Sequence, residues 1–142
     1  MKERTFAMIK PSCLGFAREV EEEMKISGLE IVSSSKIRFS REQAAEFYAE
    51  HAGKPFFEKL INMITSAPVM VYNLEGYDAI HKWRDLIGPT NPSMGDSSQL
   101  RHRFANAEAY AAGSPDNGFH GAANQSEADR DIELMRIWGY FN

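Results

Sequence analysis

The sequence predicts an α+β fold in which helices cover a four-stranded antiparallel sheet. Short apolar segments rich in β-branched and aromatic residues alternate with segments of helical periodicity. Of the 142 residues, 43% are hydrophobic, which is enough to build the core of one domain spanning residues 1–142. A long segment rich in Gly, Pro, Ser and Asn, at residues 88–119, precedes the last strand, and such segments in small domains are disordered or functional.

The first strand is predicted at residues 5–9, an apolar run that Lys10 and Pro11 close. Lys10 is therefore expected at the end of a strand. A helix is predicted at residues 16–27, because apolar residues recur there at helical spacing and Gly28 provides a stop. Its acidic face is most simply a solvated surface.

The second strand is predicted at residues 29–39, where apolar and polar residues alternate over much of the length. Ser40 and Gln43 have the spacing of a capping box, which predicts that a helix begins there. One face of this helix is predicted to turn inward and carries Ala44, Phe47, Tyr48 and His51.

A further helical piece is predicted after Pro55. Its main apolar stripe consists of Phe57, Leu60, Ile61 and Ile64, whereas a neighbouring row of Phe56, Leu60 and Met63 can face something else. The third strand is predicted at residues 68–74, where β-forming residues are frequent, with Gly76 ending it. A helix at residues 77–87 follows.

The chain is predicted to end with a fourth strand around Phe119 and a helix that Ser126 and Asp129 cap and that runs through Met135. The resulting order of βαβ, a helical insert and βαβ is the split arrangement of a ferredoxin-like sandwich. In the predicted sandwich, helices cover one face of the antiparallel sheet. The pattern of elements permits this fold.

Charge and cysteine content narrow the class of protein. The formal net charge of −4 disfavours a dedicated nucleic-acid binder, which usually has a basic excess or stripe. Cys13 is the only cysteine, so no intramolecular disulfide or cysteine zinc cluster is possible and a reducing compartment is expected. No stretch approaches the roughly 20 apolar residues of a membrane span. We expect a soluble cytoplasmic protein that binds neither membranes nor nucleic acid.

The segment Asn117-Gly118-Phe119-His120-Gly121 places one histidine between glycines shortly before the last helix. A neutral imidazole is nucleophilic near neutral pH, and flanking glycines allow tight backbone conformations and the approach of a bulky charged group. The other three histidines, at positions 51, 81 and 102, are more simply packing or surface residues. His120 is therefore the candidate nucleophile.

Together with Lys10-Pro11 and Gly88-Pro89-Thr90-Asn91-Pro92, this segment resembles the nucleoside diphosphate kinase family. In that family an Asn-x-x-His-Gly motif carries the histidine that is phosphorylated. The resemblance runs from Arg4 to about Leu134. It implies the ferredoxin-like fold and a ping-pong reaction in which His120 carries the γ-phosphate of a nucleoside triphosphate to a nucleoside diphosphate.

The sequence contains neither a Walker-type loop nor a dinucleotide-binding glycine motif, so side chains must hold any nucleotide. Lys10, Arg84 and Arg101 are the candidates, because a triphosphate needs several cations and arginine binds phosphate oxygens in a bidentate way. They occupy the places of phosphate-contacting residues in the family, as does Thr90. From the residues alone, each cation could instead be a solvated charge, and Arg103 could compete with Arg101.

The resemblance also implies roles for the remaining site residues. Phe56 would stack on the nucleobase with Leu60 closing the same wall, although the spacing of Phe56 fits a core residue equally well. Asn117 would bind the sugar hydroxyl, with a simple turn former as the alternative. Tyr48 would lie near the histidine and the phosphates. Asp131 replaces a glutamate that holds the second ring nitrogen of the histidine, and it is one methylene shorter.

The family implies Mg²⁺ carried on the nucleotide phosphates, with no metal site made by the protein. Glu50 is an acid that could orient metal-bound water. The resemblance further implies a homo-oligomer built from dimers, such as a tetramer or hexamer. Residues 105–116 form a longer segment than is common in the family, so the oligomeric state stays open.

The residues after His120 depart from the family pattern, because Ala122-Ala123-Asn124 stands where Ser-Asp-Ser is common. This change and the short Asp131 motivate an alternative, a catalytically weakened module of the same fold that binds nucleotides for regulation. A second alternative is an interaction domain with residues 101–103 as its basic patch. The acidic balance disfavours that second alternative.

Overall fold

The structure is a computed structural model that describes residues 2–142. Within these residues the strands are β1 (Lys2–Ile9), β2 (Glu30–Ile37), β3 (Val69–Tyr77) and β4 (Phe119–Gly121). The α-helices are α1 (Ala17–Ile26), α2 (Arg41–Phe47), α3 (Phe57–Thr65), α4 (Ala79–Ile87), α5 (Leu100–Phe104), α6 (Ala107–Ala111) and α7 (Gln125–Ile137). Short 3₁₀ helices occupy Pro11–Phe16, Ala49–His51 and Pro92–Met94. None of the helices described has the length and apolar character to span a membrane.

The four strands form one antiparallel sheet in the order β2-β3-β1-β4, which confirms the predicted fold class. β1 pairs with β3 along its whole length, and its last residues also pair with β4. Met8 lies opposite His120 in this register. Because β1 ends beside β4, Lys10 is brought next to the segment that precedes His120, and its backbone N–H donates to Gly118 O at 2.8 Å.

Helices cover both faces of the sheet, so the prediction of one covered face is wrong. Phe6 and Met8 of β1 pack in one apolar cluster with residues of α2, α3 and α7. Ala7 and Ile9 pack in a second cluster with residues of α1 and α4. The physical reason is that β1 is buried at every position from Thr5 to Ile9, and successive strand side chains point to opposite faces.

Several element boundaries differ from the predictions, including the start of β1, which is at Lys2 and not at residue 5. β3 continues through Gly76, because this glycine lets the strand pass close to the backbone of Gly28. A Cβ at position 76 would lie 2.8 Å from Gly28 O. α7 begins after Asn124, whose side chain accepts the N–H of Glu127, and not at the predicted cap of Ser126 with Asp129. The helix predicted to include His51 ends at Phe47, before a 3₁₀ turn.

Other predicted details are confirmed. The Ser40–Gln43 capping box opens α2, with both of its reciprocal hydrogen bonds present. The segment at residues 88–119 has little regular structure beyond one 3₁₀ turn and two five-residue helices, α5 and α6. Asn106 caps α6 by accepting the N–H of Ala109. This segment passes along the same side of the molecule as His120, since Arg101 donates to Phe119 O.

Candidate active site

His120 lies in β4, where a hydrogen bond holds its backbone carbonyl and aromatic side chains surround its ring. Trp83 Nε1 donates to the carbonyl of His120 at 2.9 Å. The ring sits among aromatic rings, with its centroid 5.3 Å from that of Phe47, 5.8 Å from Phe6 and 6.4 Å from Tyr48. Its side chain is 19% exposed. The imidazole is therefore fixed in orientation but open to a ligand on one side.

The two glycines near His120 serve different purposes. Gly118 has φ of +91°, and a Cβ there would lie 2.8 Å from Cys13 Sγ. A Cβ on Gly121 would lie 2.7 Å from Cδ1 of Trp83. The first glycine supplies a left-handed turn and the second lets Trp83 reach the carbonyl of His120.

Asp131 of α7 lies behind the imidazole. Its Oδ2 is 3.4 Å from Nε2 of His120, and its Oδ1 is 3.4 Å from a guanidinium nitrogen of Arg130. Asp131 is 2% exposed, so its charge is almost fully withdrawn from water. Arg130 also donates to the carbonyls of Glu46 and Phe47, which ties α7 to the end of α2.

A hydrogen-bonded chain links three of the predicted residues. Lys10 Nζ donates to Asn117 Oδ1 at 2.8 Å, and Asn117 Nδ2 donates to Thr90 O at 2.9 Å. Lys10 and Asn117 are both buried. Burial, together with the positive charge of Arg101, lowers the pKa of Lys10 to about 8. The structure thus holds a poorly solvated cation that an anion would stabilise.

The two predicted arginines are anchored by backbone carbonyls. Arg84 donates to Gly121 O at 3.2 Å, and Arg101 donates to Gly88 O at 2.7 Å and to Phe119 O at 2.8 Å. Burial and the charge of Arg84 lower the pKa of Arg101 to about 10, which leaves it protonated at neutral pH. These contacts fix both guanidinium groups beside His120. Arg103 instead lies 3.7 Å from Glu23 and over the ring of Phe104.

Phe56 and Leu60 flank the opposite side of the same cleft. Phe56 is 44% exposed, so it is not a core residue, and its ring lies 5.4 Å from that of His51. Leu60, one turn later on α3, is buried. Tyr48 is 5% exposed, and its hydroxyl has no hydrogen-bond partner among residues 2–142. Burial and the charges of Asp131 and Asp116 raise the pKa of Tyr48, so the phenol stays protonated.

One cavity of about 620 Å³ gathers nine of the ten predicted site residues. These are Lys10, Tyr48, Phe56, Leu60, Arg84, Thr90, Arg101, Asn117 and His120. Asp131 lines a neighbouring cavity of about 240 Å³, which shares Tyr48, Glu50 and His120 with the first. The larger cavity combines an exposed aromatic ring with an imidazole and several cations, of which Lys10 is buried.

The cavity is also lined by residues that were not predicted from the sequence to belong to the site. His51, Lys59 and Tyr110 line it, as do residues 113–115. Lys59 Nζ donates to Gly113 O at 3.1 Å and so ties α3 to the long segment across the cleft. His51 is three residues after Tyr48, which was the available signal for it. No sequence signal pointed to Tyr110 or Lys59.

The charges lining the larger cavity suit an anion. Lys10, Lys59, Arg84 and Arg101 line it, and Glu50 is the one carboxylate residue among its described lining residues. A cation held there by the protein alone would have few ligands. A divalent cation bound to phosphate oxygens would instead offset part of the charge of a polyphosphate, with Glu50 within the same cavity.

The chain is similar in sequence to known proteins of one family. The family model for nucleoside diphosphate kinase matches residues 3–136. A nucleoside diphosphate kinase of Halorhodospira halophila is 41% identical over 135 residues, covering 94% of this chain and 92% of that protein. One from Methanocaldococcus jannaschii is 38% identical over 137 residues, covering 95% and 94% of the two chains.

Solved structures extend the similarity to the fold. The orthorhombic crystal form of the Aquifex aeolicus nucleoside diphosphate kinase has a TM-score of 0.87 at 28% identity and covers 95% of each chain. The halophilic enzyme of Halobacterium salinarum in complex with CDP has a TM-score of 0.84 at 33% identity, covering 94% of this chain and 87% of that one. By sequence and by fold, the chain belongs to the nucleoside diphosphate kinase family.

Proposed function

We propose that this chain is a nucleoside diphosphate kinase, a phosphotransferase that moves the γ-phosphate of a nucleoside triphosphate to a nucleoside diphosphate through a phosphohistidine at His120. The observation that carries the proposal is the single cavity in which His120 lies with Lys10, Arg84 and Arg101. A nucleophile beside fixed cations is what phosphoryl transfer needs, since positioning and electrostatic stabilisation supply most of its catalysis.

The reacting atom in this proposal is Nδ1 of His120. Asp131 faces Nε2, so the neutral imidazole keeps its proton on Nε2 and its lone pair on Nδ1. Nδ1 attacks the γ-phosphorus in line, a nitrogen–phosphorus bond forms, and the bond to the bridging oxygen breaks with departure of the diphosphate. A second diphosphate then takes the phosphoryl group by the reverse step, so one site serves both halves.

Cations and donors around Nδ1 stabilise the transferred group. Lys10, Arg84 and Arg101 offset its negative charge, and the Thr90 and Tyr48 hydroxyls can donate to its oxygens. The partnerless hydroxyl of Tyr48 supports this role, because a buried donor gains a hydrogen bond when a phosphate oxygen arrives.

The rest of the nucleotide extends toward α3. Phe56 stacks on the base, with Leu60 below it, and Asn117 binds the sugar hydroxyl while it holds Lys10. Stacking is tolerant of base identity, so the site accepts several nucleotides. The CDP complex of the Halobacterium salinarum relative supports nucleotides as the partners.

Mg²⁺ would come with the nucleotide in this proposal and would offset negative charge on the transferred group. Glu50 lines the cavity where it can orient metal-bound water. We further propose a homo-oligomer built from dimers and a cytoplasmic location, supported by the family assignment. Size-exclusion chromatography with light scattering measures the number of chains in the oligomer.

Labelling with γ-³²P ATP and Mg²⁺ tests the proposal. The wild type should acquire acid-labile, base-stable label on the protein, and the His120→Ala variant should acquire none. The variant His81→Ala is a matched control, since His81 is exposed on α4 and pairs with Asp85. A wild type without label would favour the alternative of a catalytically weakened, nucleotide-binding regulatory module.

A further inference from the structure

A second group of possible ligands lies at the His120 ring, in the smaller cavity that adjoins the nucleotide cleft. One ring nitrogen of His120, one carboxylate oxygen of Glu127 and one of Asp131 all lie within 4.8 Å of one another. Glu127 and Asp131 are four residues apart on α7, so their side chains share one face of the helix. These three residues line the smaller cavity of about 240 Å³ together with Tyr48 and Arg130.

The separation of His120 and Asp131 is longer than a typical hydrogen bond; it still lets Asp131 orient the ring, and it also suits two ligands of one metal ion. Their Nε2···Oδ2 distance is 3.4 Å, whereas hydrogen bonds of this type span about 2.7–3.2 Å. Two ligands that each stand about 2.1 Å from a tetrahedral zinc ion are about 3.4 Å apart. The observed distance therefore matches that of two neighbouring ligands around one ion, and a carboxylate oxygen of Glu127 lies within 4.8 Å of both ligand atoms.

Glu127 is placed to complete such a site. Its backbone N–H is held by Asn124 Oδ1 at 2.9 Å, which fixes the first turn of α7 next to His120. The two carboxylates and the neutral imidazole together carry a charge of −2. Arg130 reduces this charge, but its guanidinium group is engaged with Asp131 Oδ1 and with the carbonyls of Glu46 and Phe47.

A buried donor without a partner faces the same region. Tyr48 is 5% exposed, lines the smaller cavity, and its hydroxyl has no hydrogen-bond partner within residues 2–142. A water molecule on a cation in this cavity would provide one. This observation does not depend on the spacing of the three ligands, and the water would serve the hydroxyl while no phosphate oxygen occupies the nucleotide cleft.

We propose that Nε2 of His120 and the carboxylates of Glu127 and Asp131 form a site for a divalent cation of the zinc type, and that the bound cation holds His120 inactive. One nitrogen and two oxygen ligands suit Zn²⁺ and its neighbours in the transition series. Mg²⁺ prefers an octahedron of oxygen ligands, so it stays on the nucleotide.

The inhibition follows from the position of one proton and rests on the proposed function. A cation on Nε2 occupies that lone pair, so the neutral imidazole carries its proton on Nδ1. As the metal binds, the proton on Nε2 passes to water and Nδ1 takes up a proton from water, so Nδ1 no longer has a lone pair for the γ-phosphorus. The cation thus blocks phosphoryl transfer without entering the nucleotide cleft.

Metal binding is measured first, without nucleotide, on protein freed of metal by EDTA and gel filtration. Titration with Co²⁺ should give one equivalent per chain with the intense visible absorption of four-coordinate cobalt, and Zn²⁺ should displace it. The Glu127→Gln variant should bind at least about tenfold more weakly. The matched control Asp129→Asn lies on the same helix, exposed and bonded to Gln125, and should bind like the wild type.

Inhibition is measured second, by labelling with γ-³²P ATP in a large excess of Mg²⁺. Zn²⁺ at a concentration that saturates the Co²⁺-competition curve should suppress label in the wild type and in Asp129→Asn, whereas Glu127→Gln should label equally with and without it. Absence of Co²⁺ binding, or equal binding by Glu127→Gln, would overturn the site. Full labelling of the Zn²⁺-saturated wild type would overturn the inhibition. A wild type that fails to label without Zn²⁺ counts against the proposed function instead, while the Co²⁺ titration still decides the site.

Discussion

The carboxylate of Asp131 lies 3.4 Å from Nε2 of His120, at the edge of hydrogen-bonding distance, while both residues stay largely buried. An acid at this place selects which ring nitrogen keeps the proton, and hence which one can act as a nucleophile. Four expected outcomes follow from this geometry and from the contacts around it.

Replacing Asp131 with asparagine should slow phosphorylation of His120 by about 10–100-fold. The amide N–H₂ can donate to Nε2, which moves the ring proton to Nδ1 and removes the nucleophilic lone pair. Single-turnover formation of labelled protein measures the rate. Asp131→Glu keeps the carboxylate and should stay within a few-fold of the wild type, although one extra buried methylene costs about 1–3 kcal/mol of stability. Asp131→Asn labelling at the wild-type rate would contradict the assigned role.

The kcat/KM for the nucleotide should fall above about pH 8, where Lys10 loses its charge. The pKa of Lys10 is lowered from 10.5 to about 8 by burial and by Arg101. Between these values the unfolded chain holds a proton that the folded protein has released, so this group makes the free energy of unfolding rise with pH. Phosphate binding changes in the opposite direction, because the cation is lost.

The pH dependence of kcat/KM for a nucleoside triphosphate reports the free, unphosphorylated protein and checks this expectation. The wild-type profile should fall above about pH 8. Lys10→Arg carries a cation that does not titrate in this range, so its profile should be flat there whatever its absolute activity. A wild-type profile that stays flat to about pH 9, below the pKa of Arg101 at about 10, would show that Lys10 does not bind phosphate as a cation.

Phe56→Ala should raise the nucleotide Kd with little loss of stability. Loss of base stacking costs about 1–3 kcal/mol, and the ring is 44% exposed, so little of the core is disturbed. Calorimetric titration and thermal unfolding measure the two effects. The adjacent Phe57 packs against the core, so Phe57→Ala should lose about 2 kcal/mol or more of stability. An unchanged Kd in Phe56→Ala would remove the ring from the site.

Gly121→Ala should destabilise the protein and slow phosphorylation together. The added Cβ would lie 2.7 Å from Cδ1 of Trp83, and the overpacking costs about 1–3 kcal/mol. Displacement of Trp83 would also break its hydrogen bond to the carbonyl of His120. Gly15→Ala is the control, because a Cβ there meets no atom within 4 Å. Equal melting temperatures for the two variants would contradict this account of Gly121.

Local sequence signals predicted much of the fold because they act over a few residues. The Ser40–Gln43 box and the apolar run of β1 are of this kind. The first residues of β1 are polar and exposed, so only their pairing with β3 reveals them as strand. Gly76 suggested a strand end, yet it permits the close approach of Gly28, which only the tertiary structure shows.

Some residues of the candidate site could also be predicted from the sequence, whereas others are found only in the folded structure. The motif residues at positions 10, 90, 117 and 120 could be selected in advance, because they match motifs of the family that the sequence resembles. Glu127 and Tyr110 could not, since α7 and the segment at residues 105–116 bring them to the cavities only after folding. Burial of both sheet faces was signalled by the continuous apolar run in β1, which a half-exposed strand would not have.

The most direct test of the central claim is a chase of the isolated phosphoprotein. Wild-type protein is labelled with γ-³²P ATP, freed of nucleotide and mixed with excess CDP and Mg²⁺. It should transfer its label to CDP, which gives labelled CTP, within the mixing time of a manual assay. The same treatment without a diphosphate should leave the label on His120. Label that stays on the protein in the presence of CDP, or that appears as inorganic phosphate, would contradict a phosphohistidine that carries the γ-phosphate between nucleotides.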